Sequence, residues 1–309
     1  MLGTLIVSPL ASRIRDPAAR HQLTGHATAA MLDRGATRVE VHEVSDPATI
    51  RNAAKAAIAG DSGLVVVAGG DGTVRDASSV LAGAGVPVGI LPCGTGNLYA
   101  SAAGVPRDLR QAVAALRAGV PAPHDVGHVR LTGPDGATTL DSGFVVACGT
   151  GLDARLMAET SREARRRYGV AAYFLAASRL LGSLAPQPTR LEVDGVATDL
   201  ESVVVLVANC GEAIPGKLRP RLPIRADDGL FHVFVLPRGG ILGSMRGAME
   251  LMAAEAAGQS SSGAGLRLAG THVRIEVTPP GPTQVDGDAY GPASLEATLR
   301  PGGLLVIRP

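Results

Sequence analysis

The sequence is poor in residues that recognise nucleic acids. Aromatic residues make up 3% of its 309 residues, tryptophan is absent, and 29 lysines and arginines face 28 aspartates and glutamates. Few aromatic rings leave few platforms for stacking bases. A net charge of +1 creates no broad positive field that would attract a phosphate backbone. We therefore expect no nucleic-acid partner.

Cysteine and long apolar runs are also scarce. The cysteines Cys93, Cys148 and Cys210 are odd in number, far apart and set among apolar residues, which indicates neither a disulfide framework nor a zinc site. The longest apolar stretch, 170–185, is interrupted by Arg179 and is too short to span a bilayer. The first residues resemble a strand, not a secretion signal. We expect a soluble, cytoplasmic protein.

The order of apolar runs and helical patterns divides the chain near residue 123. Before this point, strands alternate with helices, which is typical of a doubly wound, mostly parallel sheet. Strands are predicted at 2–7, 38–44, 64–68 and 86–91, and helices at 17–34, 47–59, 74–82 and 108–118. Residues 1–123 are therefore predicted to form a nucleotide-binding α/β domain.

Residues 124–309 have a different composition. Short segments rich in valine, threonine and leucine are bounded by glycine, proline and aspartate, which favours a mainly antiparallel β-sandwich. Strands are predicted at 128–131, 138–147, 191–193, 203–207, 230–236, 273–277, 283–285, 295–299 and 304–307. We expect helical insertions at 153–184 and 240–257, and a last segment that returns to the first domain.

Two glycine-rich loops follow strands of the first domain. Gly69-Gly70-Asp71-Gly72-Thr73 comes after the strand 64–68, and Gly94-Thr95-Gly96-Asn97 comes after the strand 86–91. Unpaired N–H groups at a helix N-terminus favour anions, and glycine lets a phosphate approach the backbone. Parallel sheets bind ligands at the carboxyl ends of their strands, so the loops predict a polyphosphate site. For the second loop, a plain turn with Asn97 as helix N-cap is the alternative.

Further motifs follow these loops in a characteristic order. They are Gly149-Thr150-Gly151-Leu152-Asp153-Ala154, Tyr168-Gly169, Asn209, Ala226-Asp227-Asp228-Gly229-Leu230 and Gln284-Val285-Asp286-Gly287-Asp288. In this order they make the chain resemble the bacterial diacylglycerol kinases and related lipid kinases, with sphingosine and ceramide kinases as relatives. The resemblance implies transfer of the γ-phosphoryl group of ATP, with Mg²⁺, to the hydroxyl of diacylglycerol or a similar long-chain alcohol.

The resemblance also assigns roles to single residues. Asp288 stands where the family has its proton acceptor, more often glutamate, and Asp71 is expected to bind or orient the catalytic Mg²⁺. Which of the two is the base stays open, because in sphingosine kinase relatives the aspartate corresponding to Asp71 is often assigned that role. A structural Mg²⁺ is implied at Asp228, with the backbone carbonyls of Arg225 and Leu230.

Nucleotide contacts are expected from both loops and from three further residues. Ser8 stands where the family has asparagine, and Ser45 stands near the position of a nucleotide-contacting threonine. The chain has only two lysines, so Arg75 is the nearest candidate for a phosphate clamp. The expected nucleotide contacts are therefore Ser8, Ser45, Gly69, Gly70, Gly72, Thr73, Arg75, Gly94, Thr95, Gly96 and Asn97.

Several alternatives stay open at this stage. There are two alternatives to a lipid kinase. One is a kinase of a soluble acceptor such as NAD, and the other is a lipid- or nucleotide-binding relative without turnover. Asp286 is either a hairpin residue or a metal ligand. Segment 168–184, preceded by Arg162 and residues 165–167, either docks onto anionic lipid or is an amphipathic core helix. The resemblance also implies a homodimer.

Overall fold

The structure is a computed structural model that describes residues 1–151, 186–211, 224–236, 260–262 and 265–309. The predicted insertions 153–184 and 240–257 lie outside these residues. The first part of the chain forms, in order, β1 (Leu2–Val7), α1 (Pro17–Asp33), β2 (Arg38–Glu43), α2 (Pro47–Ala59), β3 (Ser62–Gly69), α3 (Asp71–Leu81), β4 (Pro87–Pro92), α4 (Leu98–Ala102) and α5 (Leu109–Ala118).

Three of the helices begin at aspartate caps that the sequence signals. Asp16 accepts from the Ala19 amide before α1, and Asp108 accepts from the Gln111 amide before α5. Asp46 and Thr49 form a reciprocal capping box at α2. Sequence patterns therefore place these helices within a residue of their observed bounds. A helix after the second loop was expected without bounds and is the short α4, whereas α3 begins earlier than the predicted residue 74.

The first sheet is parallel in this part of the chain and has the order β2-β1-β3-β4. Helix α1 packs with α5, and α2 packs with α3. Residues 64–68 of β3 are all buried, which explains why this strand is a continuous apolar run and not an alternating pattern. The predicted α/β fold is confirmed, and both glycine loops lie at the carboxyl edge of the sheet.

The second part of the chain is almost entirely β-structure. Its strands are β5 (Val120–Thr132), β6 (Thr138–Phe144), β7 (Ala147–Gly151), β8 (Gln187–Val193), β9 (Val196–Ser202), β10 (Val204–Ala208), β11 (Phe231–Leu236), β12 (Ser260–Ser262), β13 (Gly265–Gly270), β14 (His272–Val277), β15 (Pro282–Val285), β16 (Asp288–Pro292) and β17 (Ser294–Arg308).

Two sheets of this part enclose a common core, which confirms the predicted β-sandwich. One sheet has the order β12-β13-β11-β10-β7-β15-β16, and every strand pair in it is antiparallel. Its inward apolar residues share a buried cluster with those of β5, β6, β8, β14 and β17. Phe144 of β6 stacks on Phe231 of β11 with ring centroids 5.4 Å apart.

The last strand joins the two parts of the chain. The first half of β17 pairs antiparallel with β14 and β5, whereas Leu305 and Val306 pair in parallel with Pro87 and Val88 of β4. The first sheet is therefore continuous from the parallel part into the sandwich. The segment 121–123, which was predicted as the boundary between domains, lies inside β5. Among the described strands, β6 pairs only with residues 127–132 of β5, so one side of 121–123 has no strand that needs an N–H donor, and proline is tolerated there. A boundary near residue 123 stays a prediction.

Asp125 on β5 braces this junction. Its buried carboxylate accepts from the amides of Gly302 and Gly229, each at 2.8 Å. Its backbone carbonyl accepts from the Asn209 amide group at 3.0 Å, and that group also donates to the Val145 carbonyl at 2.9 Å. One carboxylate thus connects β5 to β17 and to the turn before β11.

Replacing Asp125 with alanine should destabilise the fold, because two backbone amides lose their acceptor. We expect the free energy of unfolding to fall by about 2–4 kcal/mol, as for buried donors left unpaired. Urea unfolding followed by circular dichroism measures it. Asp199→Ala, which removes a carboxylate 77% exposed on β9, is the matched control and should change stability by less than about 1 kcal/mol. Equal effects of the two substitutions would show that Asp125 is not a brace.

Candidate functional site

The two glycine loops pack backbone against backbone. A Cβ atom added to Gly94 would lie 2.5 Å from the Cα of Gly70, and one added to Gly69 would lie 2.5 Å from the Cβ of Thr73. Glycine is therefore required by packing at these two positions. A Cβ on Gly72 would meet no described atom within 4 Å, so the start of α3 adjoins open space. The structure thus brings together two loops that are separated by more than twenty residues.

Asp71 ties the first loop to the second. It is the first residue of α3, and its Oδ1 accepts from the Tyr99 amide at 3.1 Å, at the start of α4. Burial raises the pKa of Asp71, and the amides of Tyr99, Leu98 and Asn97 act in the opposite direction. The aspartate of one loop therefore caps the short helix that follows the other.

Asn97 braces the second loop from within. It adopts a left-handed conformation with φ of 51°, and its side-chain oxygen accepts from the Gly94 amide at 2.8 Å. Its side-chain amide donates to the carbonyls of Gly94, at 2.8 Å, and Pro92, at 3.3 Å. Asn97 does precede α4, but its side chain holds the loop and does not cap the helix.

Two arginines that sequence analysis missed support the second loop. Arg13 donates to the carbonyl of Pro92 at 3.2 Å and to that of Arg107, while Arg107 donates to the carbonyl of Gly96 at 3.3 Å. The Thr95 hydroxyl donates to Ser12 at 3.3 Å. No sequence signal identifies these contacts, because they join residues of irregular loops far apart in the chain.

The two predicted serine contacts lie at the same sheet edge but at different depths. Ser8 follows β1, is buried, and its amide donates to the Ala68 carbonyl at 2.9 Å, directly beside the first loop. Ser45 follows the edge strand β2 and is exposed, with β1 between it and β3. Ser8 is therefore the better placed of the two for contact with a ligand of the loops.

Asp286 forms the turn that carries Asp288. Asp286 and Gly287 have φ of 48° and 83° and connect β15 to β16 as a two-residue hairpin turn of type I′. The Asp286 carboxylate accepts from the amides of Val145 at 2.9 Å, Val146 at 2.8 Å and Ala147 at 2.9 Å. Burial raises its pKa to about 6, against the effect of these amides. The three amides make Asp286 a structural turn residue.

Arg75 connects Asp288 to the first loop's helix. Its Nη1 donates to Oδ2 of Asp288 at 2.7 Å, and its Nη2 lies 3.4 Å from Oδ2 of Asp76. Burial lowers the pKa of the Arg75 guanidinium, but the charges of Asp76 and Asp288 outweigh it and raise that pKa above its usual range. The predicted phosphate clamp is therefore engaged by carboxylates.

The two predicted catalytic aspartates are both connected to helix α3. Arg75 follows Asp71 by four residues, so both lie on the same face of α3, about 6 Å apart along its axis. Asp288 comes from the sandwich and is held at Arg75. The structure thus brings a carboxylate from each part of the chain to neighbouring turns of α3.

A cavity of about 210 Å³ lies beside Arg75. It is lined by polar groups of Arg51, Arg75, Asp76, Ser142 and Tyr290 and by the apolar residues Pro47, Leu140 and Val285. In its lining, Arg51 forms an ion pair with Asp76 at 3.2 Å. The space is too small for a whole lipid, but it is large enough for a group of a few atoms.

At the turn predicted to hold a structural Mg²⁺, the carboxylate of Asp228 has hydrogen-bond partners from the protein. Oδ1 of Asp228 accepts from the Leu230 amide at 3.1 Å, and Oδ2 lies 2.9 Å from Nε2 of His232. Nδ1 of His232 is 3.1 Å from the Arg267 guanidinium, so Nε2 carries the proton in neutral His232. Each oxygen therefore has one protein partner, and a carboxylate oxygen can accept more than one contact. The Mg²⁺ ligands Arg225, Asp228 and Leu230 stay a prediction.

Several predicted features lie outside the described residues. These are the end of the motif that begins at Gly149, the basic and apolar stretch 162–184, and Lys217. Across the described ranges, no group of three or more histidine, cysteine, aspartate or glutamate side chains is arranged to hold a metal ion. In the same ranges, no helix has the length and apolarity to cross a membrane.

Comparison with known proteins identifies the family. A model of the diacylglycerol kinase catalytic domain matches residues 14–129, and a model of the YegS C-terminal NAD kinase beta sandwich-like domain matches residues 146–308. This chain belongs to the family of diacylglycerol kinases and YegS-like lipid kinases, which confirms the resemblance seen in the sequence.

Individual relatives agree with this assignment. The chain is 27% identical over 229 residues to a diacylglycerol kinase of Bacillus subtilis, covering 72% of this chain and 71% of that protein. It is 34% identical over 182 residues to a diacylglycerol kinase of Mycobacterium tuberculosis, covering 56% and 57%. A crystal structure of a diacylglycerol kinase from Bacillus anthracis strain Sterne has the same fold, with a TM-score of 0.69 at 19% identity over 99% of this chain and 96% of that one.

The match covers only part of some relatives. It spans 55% of a Synechocystis relative and 57% of the Mycobacterium protein, which is little more than half of each. The family and the fold are therefore established, and activity is a matter of proposal.

Gly94→Ala tests the packing of the two loops. The added Cβ would force the loops apart, so we expect a clear loss of thermal stability and of binding to a fluorescent ATP analogue. Gly25→Ala on α1 is the matched control, because no described atom lies within 4 Å of its added Cβ. That substitution should leave binding unchanged and raise helix stability by up to about 1 kcal/mol. Unchanged nucleotide binding in Gly94→Ala would contradict a phosphate site at this contact.

Proposed function

We propose that this protein is an ATP- and Mg²⁺-dependent lipid kinase that phosphorylates the hydroxyl of diacylglycerol or a similar long-chain alcohol. The observation that carries the proposal is the ion pair of Asp288 with Arg75, one turn of α3 after Asp71 and the two packed glycine loops. A phosphoryl donor and a proton acceptor are what such a reaction requires, and the two sets of residues come from different parts of the chain.

The triphosphate is proposed to bind at the two glycine loops. The start of α3 provides backbone N–H groups and the positive end of the helix dipole. The close contact of Gly70 and Gly94 leaves no side chain between the loops. Ser8 and Thr95 add hydroxyl groups at the same edge. The site resembles other phosphate-binding strand–loop–helix units in these respects.

Asp288 is proposed as the proton acceptor. The acceptor hydroxyl gives its proton to the Asp288 carboxylate while its oxygen forms a bond to the γ-phosphorus. The bond between that phosphorus and the bridging oxygen to the β-phosphate breaks, and ADP leaves. Asp71 is less suited to this role, because its carboxylate is held by the amides at the start of α4.

Asp71 is proposed to hold the catalytic Mg²⁺. It lies at the start of α3 beside the loops, and Mg²⁺ is usually bound by one or two carboxylates with phosphate oxygens and waters, so the residues present fit the ion. When bound, Mg²⁺ neutralises the charge that develops on the phosphate oxygens. The turn at Asp228 has no part in the proposed step.

The acceptor class is inferred from the family and from the site. The relatives from Bacillus subtilis and Mycobacterium tuberculosis are named diacylglycerol kinases, and the cavity beside Arg75 has room for the few atoms around the hydroxyl of such a lipid. Docking of 162–184 on anionic membranes remains a hypothesis from the residue pattern, with an amphipathic core helix as its alternative, and pairing into a homodimer remains an expectation of the resemblance. A soluble acceptor such as NAD is the alternative that the experiment below separates.

Asp288→Asn should abolish most of the activity. ADP release is measured with MgATP and mixed micelles of diacylglycerol, with NAD, and with no acceptor. We expect lipid-dependent release in the parent and a loss of about 10²-fold or more in Asp288→Asn, since general-base help is worth about that much. Binding of the ATP analogue should persist in the variant.

The exposed control Asp199→Asn should keep the parent's rate. Release that depends on NAD would favour a kinase of a soluble acceptor. Nucleotide binding without release under any condition would indicate a non-catalytic relative, and full activity in Asp288→Asn would remove this residue from the mechanism.

A further inference from the structure

We infer that Arg75 is a positioning residue, which holds the Asp288 carboxylate against helix α3 and does not contact the phosphates of the nucleotide. This inference rests on the proposed function, because it concerns the proposed proton acceptor. It is an alternative to the expectation that Arg75 clamps phosphate.

The guanidinium is enclosed between two carboxylates. The Arg75 side chain is only 8% exposed and donates to Asp288 at 2.7 Å from one nitrogen, while the other faces Asp76, whose side chain is 4% exposed. The first of these distances is that of a strong charge-assisted hydrogen bond. To reach a phosphate, Arg75 would have to give up both carboxylates and leave the buried Asp76 with Arg51, which is 40% exposed, and this is unfavourable.

The hairpin that carries Asp288 is held on its other side by backbone contacts. Asp286, two residues earlier, accepts three amides at 145–147, and the hairpin pairs with β7 through β15. These contacts attach the hairpin to the sandwich and not to α3. Arg75 provides a side-chain link between Asp288 and the helix that begins at the first glycine loop.

The link explains why arginine suits this position. A guanidinium has several donors in a fixed plane and can hold two carboxylates at once, whereas an ammonium group is a single point of charge. Arg75 thereby sets the distance of Asp288 from α3 while remaining fixed by Asp76. An error of about 1 Å in the position of a catalytic group can cost about 10²-fold in rate.

Arg75→Gln should therefore act on turnover and not on nucleotide binding. We expect kcat to fall by about 10²-fold, while the KM for ATP and the affinity for the fluorescent analogue change by less than about twofold. Arg75→Lys keeps the charge but not the fork, and we expect it to lose only about tenfold in kcat. A phosphate ligand would show the reverse, with weakened ATP binding and preserved kcat at saturation, and this result would overturn the inference.

A double-mutant cycle tests whether Arg75 acts through Asp288. In the Asp288→Asn background, Arg75→Gln should lower the residual rate by less than about twofold, because the group it positions is already disabled. The residual rate is followed with radiolabelled ATP. Independent effects, in which the double variant loses the product of the two single losses, would overturn the inference.

Hydrogen exchange gives a readout that does not require activity. In Arg75→Gln, amides of the hairpin 285–290 should exchange about tenfold faster, while β1 and β3 keep the parent's protection. Arg274→Gln, which removes a surface pairing with Glu296 at 3.2 Å, is the matched control and should leave the hairpin unchanged. Unchanged hairpin exchange in Arg75→Gln would overturn the inference, and so would loss of protection throughout the protein.

The two proposals can fail separately. If the parent shows no acceptor-dependent ADP release, the proposed function is wrong, and nucleotide binding and hydrogen exchange still decide whether Arg75 holds the hairpin. If Arg75→Gln does not fold, Arg75→Lys undergoes the same measurements, and an unchanged kcat together with unchanged hairpin exchange in that variant would contradict a positioning role.

Discussion

The close contact between Gly70 and Gly94 is the constraint on which the rest of the site depends. It brings the carboxyl ends of β3 and β4 together with no side chain between them, and it places Asp71 where it can cap α4. Asn97, Arg13 and Arg107 then hold the second loop from the other side. A side chain at this contact would push the two loops apart and break these hydrogen bonds.

The site also depends on how the two parts of the chain are joined. The end of β17 adds a parallel strand to the first sheet, and Asp125 connects that strand to β5 and to the turn before β11. The sandwich is thus built onto the parallel sheet through shared strands. This continuity lets the hairpin with Asp288 reach α3 at a defined point, which is where Arg75 meets it.

Three aspartates near the site are distinguished by what binds them. Asp71 is held by amides at the start of α4, and Asp286 by three amides at 145–147, whereas Asp288 accepts from a guanidinium of the other part of the chain. Backbone amides fix the first two to local structure, while a side-chain partner couples Asp288 to the helix that begins at the first glycine loop. The different partners favour a division of labour among otherwise identical carboxyl groups.

The sequence by itself determined the α/β and sandwich classes, the capped helices α1, α2 and α5, and the two glycine loops, because periodicity, caps and turn residues act over short distances. The turn at Asp286 and Gly287 was recognisable for the same reason. Only the tertiary structure decided that Asp71 caps α4, that Arg75 binds Asp288 and that residues 121–123 lie in a strand. Those contacts join residues far apart in the chain, and a buried charge takes its partner from the three-dimensional packing, not from its neighbours in sequence.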